Sequence, residues 1–129
     1  MQTIKKIRTK YNEVWIGDDG ILRLKPDEGA ELSLEEVVAC FDVYREMGCD
    51  KVKILQIIYA HDTMTITPEG RDYASKHGAD FFLASAVIND SLGIRLIVNF
   101  FNVFYRQPVP FKMFARENDA LEWLNNFRK

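Results

Sequence analysis

Cysteine is scarce. Cys40 and Cys49 are the only two in 129 residues, and neither belongs to a C-x-x-C pair or stands beside a His cluster. A disulfide framework and a thiolate metal site therefore lack their residues, and the expectation is two reduced thiols in a cytoplasmic protein with no metal and no cofactor. Histidine is equally sparse, with only His61 and His77. The longest apolar region, residues 92–105, is broken by Arg95, Asn99 and Asn102 and is too short to cross a bilayer, so no integral membrane segment is expected. The opening MQTIKKIRTK has no apolar core of the kind a signal peptide needs. Neither sign of charge dominates: 17 Lys and Arg against 19 Asp and Glu leave a net charge of -2, which argues against general nucleic-acid binding. Lys5, Lys6, Arg8 and Lys10 form a small basic start, read as a solvated strand edge. No G-x-x-x-x-G-K-[ST], G-x-G-x-x-G, G-x-S-x-G or H-E-x-x-H occurs, so phosphate cradling, dinucleotide binding, serine hydrolysis and zinc proteolysis lack their usual signatures.

What is present is an ordinary globular composition, 47% hydrophobic and 28% charged. The length fits one domain over 1–129, which can bury roughly two thirds of the surface its unfolded chain exposes. NEVWIGDDGILRLKP holds two β-rich runs joined by Asp-Asp-Gly, with Gly20 able to supply the positive φ of a tight turn, and predicts an opening hairpin. In SLEEVVACFDVYREMGCD, Ser33 can cap a helix, Glu36 completes a capping box, and Gly48 can close it; Leu34, Val37, Val38, Phe41 and Tyr44 then share a face. KVKILQIIY and DFFLASAVI are short apolar runs suited to buried strands. VPFKMF reads as a last strand, and NDALEWLNNF as a terminal helix burying Ala120, Trp123, Leu124 and Phe127. The predicted order is ββαβαβαβα: an α/β fold with a mixed β-sheet opened by an N-terminal hairpin and about four helices packed on it.

Two stretches carry chemistry worth weighing. YAHDTMTITPEG places His61, Asp62 and several threonines in a turn before a helix that runs to about His77. Thr67 can cap that helix and Pro68 can take its first position, where a missing N–H costs nothing. A phosphate on Thr67 would be favoured by the helix dipole, which makes it the phosphorylation candidate, although a capping hydroxyl is already engaged. His61 and Asp62 diverge on an extended chain and have no second His or Cys to form a triad or metal site, so no catalytic residue is nominated.

The second stretch is SLGIRLIVNFFNVFYR, predicted helical from about Ser91 to Arg106. At the helical period Arg95, Asn99, Asn102 and Arg106 fall on one narrow line, and the rest covers an apolar arc of about 240°, far wider than the roughly 100° an ordinary surface helix uses. Gly93, Ile97, Phe100 and Phe104 lie opposite the polar line and are expected on the sheet. Ile94, Val98, Phe101 and Tyr105 form one flank; Leu92, Leu96 and Val103 form the other. The first flank is the candidate interface or apolar-ligand face.

The order of elements, with TPEGRDYASKHG, LASAVIND, RLIVNFFN and PFKMFARENDALEWL, resembles the STAS/SpoIIAA-like domains, in particular the small single-domain bacterial proteins of uncharacterised function in that group. The similarity runs over about residues 10–128 and is one of pattern. It implies a mixed sheet used for protein contacts, small-ligand sensing or, in the related SEC14 group, lipid binding. Anti-sigma-factor antagonists of this fold carry an Asp-Ser-Ser-Gly loop with a phosphorylated serine where this chain reads HDTMTITPEG, without a Ser-Gly pair. The expected function is a non-enzymatic interaction or regulatory domain acting as a homodimer through residues 91–106, with or without another protein partner. The alternative is a carrier of an apolar small molecule or lipid.

Overall fold

The computed structural model describes residues 5–105 and 108–128. The chain begins with a two-residue strand, Ile7–Arg8 (β1), antiparallel to Asn12–Ile16 (β2), which in turn pairs antiparallel with Leu22–Pro26 (β3). Gly20, at φ 77°, makes the turn between β2 and β3, as the hairpin requires. After Glu31–Leu32 (β4) comes the helix Leu34–Glu46 (α1), then Ile54–Ile58 (β5), Thr65–Ile66 (β6) and the helix Pro68–His77 (α2). Phe82–Ile88 (β7), the helix Leu92–Phe104 (α3), Phe111–Phe114 (β8) and the helix Glu117–Leu124 (α4) complete the order. The elements predicted from the sequence are all there. The two-residue strands β1, β4 and β6 are additions too short to leave a hydrophobic period.

The main sheet runs β1-β2-β3-β5-β7-β8, antiparallel across the hairpin and parallel from β3 to β8. Each parallel step needs a long crossover, and α1, α2 and α3 supply them. All three lie on one face, while α4 lies on the other against Leu55, Ile57, Ala84 and Ala86. Alternation along β5 sends Gln56 and Ile58 to the three-helix side. In β7 the register jumps, with Ile54 opposite Phe82 but Leu55 opposite Ala84, so one extra residue is accommodated at Leu83. That bulge puts Phe82 in the α1 cluster although Ala84, two positions on, faces α4.

Ser33 caps α1 as predicted, accepting a hydrogen bond from the Glu36 N–H. The capping box is not completed, because the Glu36 side chain turns inward and is 5% exposed. Its Oε2 accepts from the Thr9 hydroxyl at 2.6 Å, the Tyr11 N–H at 2.9 Å and the Asn12 side-chain amide at 2.6 Å. Three donors from the β1–β2 turn outcompete one cap donor for the same carboxylate. Leu34, expected on the buried face, is 44% exposed, while Val37, Cys40, Phe41 and Tyr44 are buried.

Candidate functional site

Ser91 caps α3 by accepting from the Ile94 N–H at 3.2 Å. Ile94, Val98 and Phe101, spaced i, i+4, i+7, are the residues of this helix that are buried, and they pack toward Val87 of β7 and Phe111 of β8. The row expected on the sheet is therefore displaced. Gly93 is exposed, Ile97 is half-buried, and Phe100 and Phe104 are 40% and 66% exposed. The polar line shifts with it: Asn102 does not point straight away from the protein but donates to the Phe111 carbonyl of the edge strand β8 at 2.8 Å. With the helix in this rotation the flank containing Ile94, Val98 and Phe101 faces the sheet, and burial of those three side chains is the larger contribution to it. Leu92, Leu96 and Val103 remain at the surface with Phe100 and Phe104. Arg106, the last member of the polar line, lies outside the described residues.

Both ends of α3 are held by polar contacts. Before the helix, the Asn89 amide donates to the Ala60 carbonyl at 2.9 Å and to Asp62 at 2.8 Å, and Asn89 Oδ1 accepts from the Ser91 N–H. At the far end the Tyr105 hydroxyl donates to Asp72 of α2. Desolvation, reinforced by the Asp72 carboxylate, raises the Tyr105 phenol above its ordinary range. The Arg71 guanidinium also stands 5.1 Å over the Phe100 ring.

Between these fastenings α3 roofs a cavity of about 160 Å³, partly open to solvent, bounded by the sheet face of β3, β5, β7 and β8 and by α1 and α2. Ile94, Val98 and Phe101 form its roof, with Ile58 and Val87 opposite. The lining is almost wholly apolar apart from one cluster of three buried groups. Gln56 donates to the Tyr44 hydroxyl at 3.4 Å and accepts from the Ser85 hydroxyl at 2.8 Å. Cys40 also lines the cavity, and burial pushes its thiol up to about 12. Cys49 is likewise a free buried thiol, pushed up to about 11 by burial. Both stay protonated at neutral pH and are therefore weak nucleophiles.

The loop over residues 59–70 frames the same cavity. Thr65–Ile66 pairs in parallel with Glu31–Leu32, which turns Met64 and Ile66 into the lining. Thr67 caps α2, its hydroxyl accepting from the Gly70 N–H at 3.1 Å. His61 Nδ1 accepts from the Thr63 N–H, while Asp62 is taken up by Asn89, so the adjacent pair serves two different contacts. No cluster of three His, Cys, Asp or Glu residues occurs among the described residues. Gln56 and Ser85 are not among the residues that the sequence pattern singles out. Each is a single polar residue inside an apolar strand, and that interruption was the available signal.

A second polar group sits on the α4 face. Arg23, 8% exposed, forks onto both oxygens of Asp19 at 2.7 and 2.8 Å and donates to Tyr59, which donates to Glu117 at 2.7 Å. The guanidinium is matched by partners throughout, and it closes the hairpin onto α4.

Six strands, mostly parallel, with three helices over one face and a fourth behind, define a SpoIIAA-like α/β domain. An uncharacterised protein of the DUF3478 family from Shewanella loihica PV-4, whose crystal structure has a SpoIIAA-like fold, superposes with a TM-score of 0.62 over 95% of this chain and 92% of that one, at 21% identity. The chain belongs to the DUF7793 family, a domain of unknown function whose model matches residues 14–128. No curated protein matches it. No helix among the described residues is long and apolar enough to cross a membrane.

Proposed function

We propose that the protein is a non-enzymatic binding domain that holds a small apolar molecule beneath α3 and couples its presence to the position of that helix. The observation that carries this reading is the cavity itself. Interiors normally close to crystal-like density, and an apolar space of about 160 Å³ under a helix fastened mainly at its ends is a ready receptor. Ile94, Val98 and Phe101 form its roof, and Tyr105 ties the roof to α2. Native mass spectrometry of gently purified protein tests it. The expected spectrum is the 15.0 kDa chain with a reproducible small adduct, which is lost when Val98→Trp fills the space. Unliganded spectra from several preparations, with no adduct released by solvent extraction, would count against it.

Self-association is a second reading, favoured by the outer row Leu92, Leu96, Phe100, Val103 and Phe104 left exposed on α3. Such a contiguous apolar surface suits a two-fold contact between two copies or a regulatory protein partner. The interface would then use this outer row and not Val98 and Phe101, which are inside. Thr67 keeps a regulatory role only if phosphorylation can displace its capping bond to Gly70. A cytoplasmic setting accords with its two reduced thiols.

A further inference from the structure

We propose that the molecule held beneath α3 is uncharged and about one ring in size, and that it presents a hydrogen-bond acceptor to the Tyr44–Gln56–Ser85 cluster. This rests on the reading of the cavity as a ligand site and specifies what that site selects.

Size comes first. A cavity of about 160 Å³ compares with the roughly 150 Å³ that holds benzene in an engineered protein core, so one ring fills it, and an extended acyl chain would have to run out through its open side or displace α3. Charge comes next. None of the lining residues is Lys, Arg, His, Asp or Glu, so an ion placed there would lose its hydration with no opposite charge to replace it.

The polar cluster then sets the functional group. Tyr44, Gln56 and Ser85 are 2%, 4% and 5% exposed, and all three line the cavity. Between them they carry one phenolic hydrogen, one hydroxyl hydrogen and two amide hydrogens. Two of these hydrogens are used within the cluster, one from Gln56 to Tyr44 and one from Ser85 to Gln56. Exchanging the amide O and N of Gln56 changes which atoms are paired but still leaves two hydrogens over. Those two donors have no acceptor among the described residues. A buried donor without a partner is costly, and a carbonyl or ether oxygen entering the cavity removes that cost. Burial holds the Tyr44 phenol well above its ordinary range, so it remains a donor at any physiological pH.

Acetophenone, α-methylstyrene and benzoate are close in size and shape, and offer respectively a neutral acceptor, no acceptor and a charge. Each is titrated into the ¹⁵N-labelled full chain and into the triple variant Tyr44→Phe/Gln56→Leu/Ser85→Ala. That variant removes the cluster whole and so leaves no partner stranded. The expected result is that both neutral probes saturate the wild type and shift the amides of Val98 and Phe101, while benzoate does neither. The affinity ratio of acetophenone to α-methylstyrene should fall roughly five- to tenfold in the variant. The ¹³C carbonyl resonance of acetophenone bound to the wild type should also lie downfield of its position in a hydrocarbon solvent, a readout that needs no variant. A carbonyl resonance at the hydrocarbon position, or an unchanged ratio in the folded variant, overturns the acceptor assignment and leaves the cavity standing. Saturable benzoate binding at the same amides overturns the neutral class. Failure of both neutral probes to bind the wild type overturns the cavity reading and this inference with it.

Discussion

Glu36 carries a carboxylate into the interior and holds three donors of the β1–β2 turn on one oxygen. Truncating it leaves Thr9, Tyr11 and Asn12 facing an empty space, so Glu36→Ala should cost roughly 2–5 kcal/mol in urea denaturation. Adding Thr9→Ala should cost less than it does alone, because its bond to Glu36 is already gone and only its contacts with the Asn12 backbone remain to be lost. A cost below about 0.5 kcal/mol would mean that water replaces the carboxylate without loss. Gly70 makes a different demand: a Cβ there would lie 2.6 Å from the Leu32 carbonyl, where α2 comes down on β4. Gly70→Ala should therefore destabilise by about 1–3 kcal/mol, as overpacking does, although alanine is the better helix former. The two thiols predict a pH dependence. Their folded values are raised to about 12 and about 11 from 9.0, so their contribution is complete below pH 9 and is lost as pH rises through those values. Denaturation midpoints should be flat between pH 7 and 9 and fall above it, less steeply in Cys40→Ala/Cys49→Ala measured against its own value at pH 8. Identical slopes would mean that the thiols ionise without unfolding cost.

At the scale of elements, α3 separates what a sequence can tell from what it cannot. Its extent, its Ser91 cap and its excess of apolar surface are legible from period and composition. Its rotation about its own axis is not, because that depends on contacts distant in sequence: Ile94, Val98 and Phe101 packing on β7 and β8, and Asn102 meeting the Phe111 carbonyl. The same limit applies to Glu36, where a good capping-box spacing was overridden by donors distant in sequence. Strands β4 and β6 escape notice for the opposite reason, being two residues each with no room for alternation. The observed rotation yields a prediction. Leu96→Glu/Val103→Glu alters exposed positions and should leave stability within about 0.5 kcal/mol. Phe101→Ala should cost about 3–5 kcal/mol, because the ring is buried against Phe111. In light scattering, the Leu96→Glu/Val103→Glu chain should be monomeric at concentrations where any wild-type dimer forms; persistence of a dimer would remove the outer row from the interface.

For the whole molecule, the mixed sheet, the opening hairpin and the four helices follow from sequence patterns that local physics enforces: Gly20 in the turn, Ser33, Thr67 and Ser91 as caps, apolar runs in β5 and β7. The cavity follows from none of them. It exists because three crossover helices meet over one sheet face without closing, and its polar cluster joins a helix to two strands from sequence positions far apart. The measurement that tests this most directly is crystallography of the protein soaked in bromobenzene, a probe of ring size whose bromine is located by its anomalous signal. A single bromine site is expected under α3, bounded by Ile58 and Val87 on the sheet and by Val98 and Phe101 above. Side chains packed closed in that volume, with no bromine there at saturation, would contradict it.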